Sequence, residues 1–274
     1  MKFDMSRAWS DATSLLRANR DVLLIVAGVF FFLPYLAMSL LLPDYASSIE
    51  TTAADPGDAA QAFDQLAQVY GRIWWALLLV LIIQGIGMLA VLALLTERSR
   101  PTVGEAIAHG AKGLVTYIAA QVLQSLLIVL VVAIPFAIAA SGAVLIGAAV
   151  SLVAVVASVY LMVKFSLTSP VIAIDRVMNP ISALQRSWAL TKGNSVRLFL
   201  FYVLLLIAAL VLSIVIGLIV GLVAAVAGDG AIIVSGVFNA LLNMIFVVVV
   251  LGVLAAVHRQ LAGPSAATVS ETFE

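Results

Sequence analysis

The sequence predicts an all-α integral membrane protein. Six transmembrane helices form three hairpins, each preceded by a short amphipathic helix at the cytoplasmic interface. Three observations carry this prediction. The 274-residue chain is 64% hydrophobic and 10% charged, with a mean hydropathy of +1.20, whereas soluble domains are about a quarter charged. Six runs, 22–42, 73–95, 114–140, 143–163, 198–227 and 231–257, contain no Asp, Glu, Lys, Arg or His, and each is at least 21 residues long. At about 1.5 Å per residue such runs cross a hydrocarbon core of roughly 30 Å, and only helices satisfy their own backbone there. Finally, thirteen of the fourteen Lys and Arg residues fall in gaps on one side once the runs alternate across a membrane.

The first element is an amphipathic helix. From Asp4 onward, Met5, Ala8, Trp9, Ala12, Leu15, Leu16 and Asn19 recur at helical spacing, while Ser6, Arg7, Ser10, Asp11, Ser14 and Arg17 take the other face. Such a helix lies on a membrane surface. The first span follows it, with Pro34 placed to kink it. Its apolar core exceeds the roughly 7–15 residues of a signal peptide, so it is read as a retained span. The outer loop 43–71 is acidic and Ala-rich, with a Pro56-Gly57 turn signal and the lone outer basic residue, Arg72, at its end. Tyr35, Tyr45, Tyr70, Trp74 and Trp75 cluster at this boundary as an aromatic interface belt would.

Before the third span, Thr102 and Glu105 form a T-x-x-E capping box, and Val103, Ala106, Ile107 and Gly110 make a stripe opposite Glu105, His109 and Lys112. Before the fifth, Asn179 is an N-cap, Pro180 occupies the first helical position, Ile181, Leu184 and Trp188 share a face, and Gly193 is placed to end the helix. The three units beginning near Asp4, Thr102 and Asn179 read as a pseudo-threefold repeat. Residues 1–260 make a single membrane domain, and 261–274 a polar cytoplasmic tail expected to be disordered.

By the positive-inside rule both termini are cytoplasmic. The zero net charge offers no field for nucleic acid. The absence of cysteine excludes disulfides and thiol catalysis. His109 and His258, the two histidines, are not joined by the further histidine or acidic partners that a metal-ligand set needs, so neither metal nor cofactor is expected. No span holds the histidine or paired carboxylates that intramembrane hydrolysis needs. The chain is therefore read as non-enzymatic.

Two groups of polar residues remain. Arg7, Arg17, Arg20, Arg186, Lys192 and Arg197 gather around the first and third amphipathic helices, a basic collar suited to anionic lipid headgroups or a membrane-protein partner. Gln84, Gln121, Gln124, Asn239 and Asn243 lie within the spans. They serve either as interhelical hydrogen-bonding groups or as the lining of a transport or lipid-handling path, the alternative function. Gly217 and Gly221 form a GxxxG suited to close helix approach.

The passage from Ser169-Pro170-Val171-Ile172-Ala173-Ile174-Asp175 to Arg186-Ser187-Trp188-Ala189-Leu190-Thr191-Lys192-Gly193-Asn194 resembles the membrane domain of glycerophosphoryl diester phosphodiesterases and related six-helix bacterial membrane proteins. The resemblance implies a bacterial inner-membrane location and a membrane module that some members fuse to a phosphodiesterase. That catalytic domain is a barrel of about 250 residues. The non-membrane stretches here are too short for it, and the resemblance supplies no catalytic residue.

Overall fold

The computed structural model describes residues 2–41, 59–96 and 102–263. Most of the outer loop with Tyr45 and the Pro56-Gly57 turn, the linker with Arg98 and Arg100, and the tail from 264 lie outside the described residues. Six helices are long and apolar enough to cross a membrane, and no strand occurs among the described residues. This is an all-α polytopic membrane protein.

Helix α1 (Met5–Ala18) is capped by Asp4, whose Oδ1 accepts the Arg7 N–H at 3.0 Å. It buries Ala8 and Ala12, the face expected from the sequence. Asn19 ends it, and the first span follows as α2 (Arg20–Ala27), a π-helical turn (Gly28–Phe32) and α3 (Leu33–Leu41). Pro34 has no N–H for the ladder, and the wider turn just before it absorbs the misfit: the Leu33 N–H reaches back five residues to the Gly28 carbonyl.

Helix α4 (Ala59–Thr96) begins well inside the segment read as an outer loop. The stretch A-A-Q-A-F-D-Q-L-A-Q is rich in good helix formers and has no breaker, so the span extends outward. Tyr70, Trp74 and Trp75 are exposed along it. Helix α5 (Val103–Ala140) opens with the capping box, with the Thr102 N–H 2.8 Å from Glu105 Oε2 and the Glu105 N–H 3.3 Å from Thr102 Oγ1. It then runs unbroken into the third span, so the second amphipathic segment is the first turns of a spanning helix, not a separate element. The collar therefore has two free-standing helices, where the sequence suggested three. A helix needs a positive reason to stop: the first unit has Asn19, and the third has Gly193 at φ +81°. The second has Gly110 and Gly113, but both stay helical, and Gly113 packs against Leu89 and Ile172.

The fourth span, α6 (Val144–Phe165), bends at Ser166 into α7 (Thr168–Ala173). Helix α8 (Pro180–Thr191) is capped by Asn179, whose Oδ1 accepts the Ile181 and Ser182 N–H groups. The last hairpin is α9 (Ser195–Val226) and α10 (Ala231–Ala262), joined through Gly228–Gly230.

Packing is concentrated at the end of the bundle that carries α1 and α8, called here the basic end. Leu89–Leu95, Leu167–Ala173 and Leu251–Val257 supply most of the large buried side chains there. Along the outer half, α9 buries only Val220 beyond Phe201, and α5 only Pro135 beyond Ala120. In lipid this costs little, because hydrocarbon solvates an apolar side chain as well as another helix does.

Candidate functional site

The basic end is built around the α7–α8 connector. Thr168, Ser169 and Val171–Ala173 are buried between α4, α5 and α10. Asp175 follows, then Arg176 at φ +55°, a left-handed conformation costly for a residue with a Cβ. This turn aims the Asp175 carboxylate at two partners. Its Oδ1 lies 3.3 Å from His258 Nε2 on α10, and its Oδ2 lies 3.3 Å from Arg186 Nε on α8. The histidine approach is off-line, so the buried nitrogen has no well-aligned hydrogen bond. Burial by itself would raise the Asp175 carboxyl; the interactions with His258 and Arg186 outweigh it and hold it below the usual carboxylate range. The connector is also tied to α5, where Thr116 Oγ1 donates to the Met178 carbonyl at 2.8 Å and His109 Nε2 lies 3.1 Å from the Ala173 carbonyl.

Lys164 counts toward the basic side in the sequence, yet it is buried. Its ammonium sits 5.5 Å from the Tyr160 ring centroid and 5.0 Å from that of Trp188, where aromatic faces compensate for lost water. Ser187 Oγ donates to the Lys164 carbonyl at 2.8 Å, pinning α8 against the end of α6. The R-S-W-x-L-T-K-G-N passage is thus largely architectural.

The N-terminus is latched to the same end. Phe3 is buried edge-on to Phe201, with centroids 5.5 Å apart. Its N–H donates to Asn194 Oδ1 at 2.9 Å, and its carbonyl accepts from Arg197 Nη1 at 3.4 Å. Arg259 and Asp11 pair at 3.1 Å across α10 and α1. Replacing Asn194 by Ala leaves the Phe3 N–H buried without this acceptor, a loss of about 1–3 kcal/mol. The expected result is local opening, measured as trypsin cleavage after Arg7 at least about fivefold faster than in the parent.

The six collar residues therefore divide. Arg7, Arg17 and Lys192 are exposed, and so is Arg20, which meets Asp21 at 3.4 Å in a pair open to solvent. Arg186 and Arg197 are half-exposed or exposed but hold internal partners. The intramembrane amides are spread over α4, α5 and α10. Gln84, Gln121, Gln124 and Asn243 are half-buried, and Asn239 is exposed. Asn243 Oδ1 is buried without a hydrogen-bond partner. Among the described residues no group of three His, Cys, Asp or Glu side chains could hold a metal ion.

The pairing of His258 with Asp175 leaves no mark at short spacings in the sequence. The two residues lie on separate elements and meet only through the fold. Gly217 and Gly221 present the opposite case: their surroundings are open, with nothing near a Cβ at either position. Close approach occurs instead between α4 and α5, where a Cβ at Gly110 would lie 2.5 Å from the Ile86 carbonyl oxygen.

A model of a domain of unknown function, DUF7847, matches residues 5–261. No curated protein and no solved structure matches the chain.

Proposed function

Because the chain belongs to the DUF7847 family, whose description assigns no activity, its role has to be argued from its own geometry. We propose that it is a non-enzymatic module of the bacterial cytoplasmic membrane, with both termini cytoplasmic, that binds anionic lipid headgroups at its basic end. The proposed kinship with the membrane domain of glycerophosphoryl diester phosphodiesterases agrees with this reading, since such a domain supplies a membrane platform and no catalytic group. The positive-inside rule supports the orientation.

The observation that carries the proposal is the exposure of Arg7, Arg17, Arg20 and Lys192 on elements that are themselves bolted down. Helix α1 is fixed by Phe3 and by the Arg259–Asp11 pair, and α8 by the Ser187 contact. A fixed array of cations loses less freedom on binding than a flexible tail, and each contributes about 1 kcal/mol near an anionic surface. The set is narrower than the sequence suggested, because Arg186 is held by Asp175.

Replacing Arg7, Arg17, Arg20 and Lys192 by Gln, with Arg197 left to hold Phe3, tests the reading. Anionic phospholipid retained through mild extraction should fall by more than about tenfold, given four charges at about 1 kcal/mol each. Unchanged lipid content would remove the basis of the proposal.

A further inference from the structure

Beside the basic end, the first span and α10 enclose a groove of about 220 Å³. Its walls are apolar, with Leu16, Leu23 and Leu24 on one side and Met244, Ile245 and Val248 on the other; Arg20 is the single polar residue lining it, and it does so through its alkyl stem. The groove follows from the chain path. Below it, α1 lies against α10, and Leu16 fills the space left by Gly252, where a Cβ would come within 2.8 Å of Leu16 Cγ. Above it, the π-helical turn meets α10 again. Between these contacts α2 meets α10 only sparsely, and the slot remains.

We propose that this groove takes one acyl chain of an anionic phospholipid, with the phosphate held by Arg20. The proposal rests on the headgroup reading above and gives it a site. Arg20 opens the first span, which puts its guanidinium at the boundary between hydrocarbon and headgroups, where a long basic side chain extends toward the interface. From Arg20 to Ala27 the wall covers eight residues, seven helical steps or about 10 Å, so a chain whose first part lies in the groove leaves its phosphate at the arginine. A guanidinium binds phosphate with two parallel N–H donors. The Asp21 contact does not prevent this, because both side chains are largely exposed, at 77% and 85%, and such a pair is worth little. A second protein helix is the wrong size for the slot, being about 10–12 Å across with its side chains. Met244 adds a wall that adapts to a flexible chain.

The test uses the full chain in nanodiscs of phosphatidylcholine containing a minority of phosphatidylglycerol, with retained lipid counted by native mass spectrometry. Ile245 is half exposed, so Ile245→Trp fills the groove without entering the core. It should lower retained phosphatidylglycerol about tenfold, and Ile245→Leu should leave it unchanged. Leu24→Trp fills the groove from the opposite wall and keeps the test standing if the first variant misfolds. Arg20→Gln should abolish the preference for phosphatidylglycerol over phosphatidylcholine. Water-soluble glycerophosphoglycerol should fail to displace the bound lipid. Retention in both tryptophan variants at the parental level overturns the groove, as does displacement by the soluble headgroup. The two readings fail separately. If only the Arg7, Arg17, Arg20 and Lys192 variant loses lipid, the collar stands without the groove. If the tryptophan variants lose lipid while neutralising Arg7, Arg17 and Lys192 has no effect, the groove stands without the collar.

Discussion

Gly110→Ala is expected to destabilise the bundle by about 1–3 kcal/mol, although alanine is the better helix former by about 1 kcal/mol. The added methyl would sit 2.5 Å from the Ile86 carbonyl oxygen and 3.2 Å from the Ala90 nitrogen. Both are backbone atoms of a helix, which cannot rotate aside as a side chain can, so α4 and α5 must separate. Separation forfeits the dense van der Waals contact that holds helices together in lipid. It also disturbs the neighbouring Gly113 contact with Leu89 and Ile172. The matching control is Gly217→Ala on α9, which meets nothing within 4 Å and should be neutral or slightly stabilising. Thermal unfolding of both variants in the same detergent measures the contrast. Equal midpoints would show that the α4–α5 contact is not the tight joint described here.

Asp175→Ala should cost about 1–3 kcal/mol. A fully buried ion pair broken on one side loses about 3–5 kcal/mol, but the Asp175 and Arg186 side chains are 22% and 50% exposed, and water moderates the loss. The substitution leaves His258, with a side chain 4% exposed, without its carboxylate, and uncouples α10 from the α7–α8 connector. Asp175→Asn keeps an acceptor and should cost less. The pair also predicts a pH dependence. The Asp175 carboxyl is held below its ordinary range in the folded protein, so its contribution is complete above the unfolded-state value, near pH 4, and is lost as pH falls through the lower folded-state value. The stability gap between the parent and Asp175→Asn should therefore close as the pH falls through the acid range. A gap that widens below pH 4 would contradict this account.

These joints differ in how far they could be read from the chain. The caps at Thr102–Glu105 and Asn179–Pro180 and the stop at Gly193 were legible because each is a local bargain between a side chain and backbone groups a few residues away. The exposed face of α1 was legible because helical spacing alone separates Arg7 and Arg17 from Ala8 and Ala12. The burial of Lys164 was not legible, since its compensation comes from Trp188, on another helix. The groove at Arg20 was equally hidden, because one wall is α2 and the other is α10.

By itself, the sequence determined the six spans, their alternation and the placement of most basic residues at one end. Those features depend on how each segment partitions between water and hydrocarbon, and partitioning is a local property. Tertiary structure decided which apolar faces meet, where glycine permits contact, and how Asp175 joins His258 and Arg186. Lipid-facing and protein-facing residues are equally apolar in a membrane protein, so hydropathy cannot tell them apart. Only the fold brings the distant backbone atoms and charges into contact.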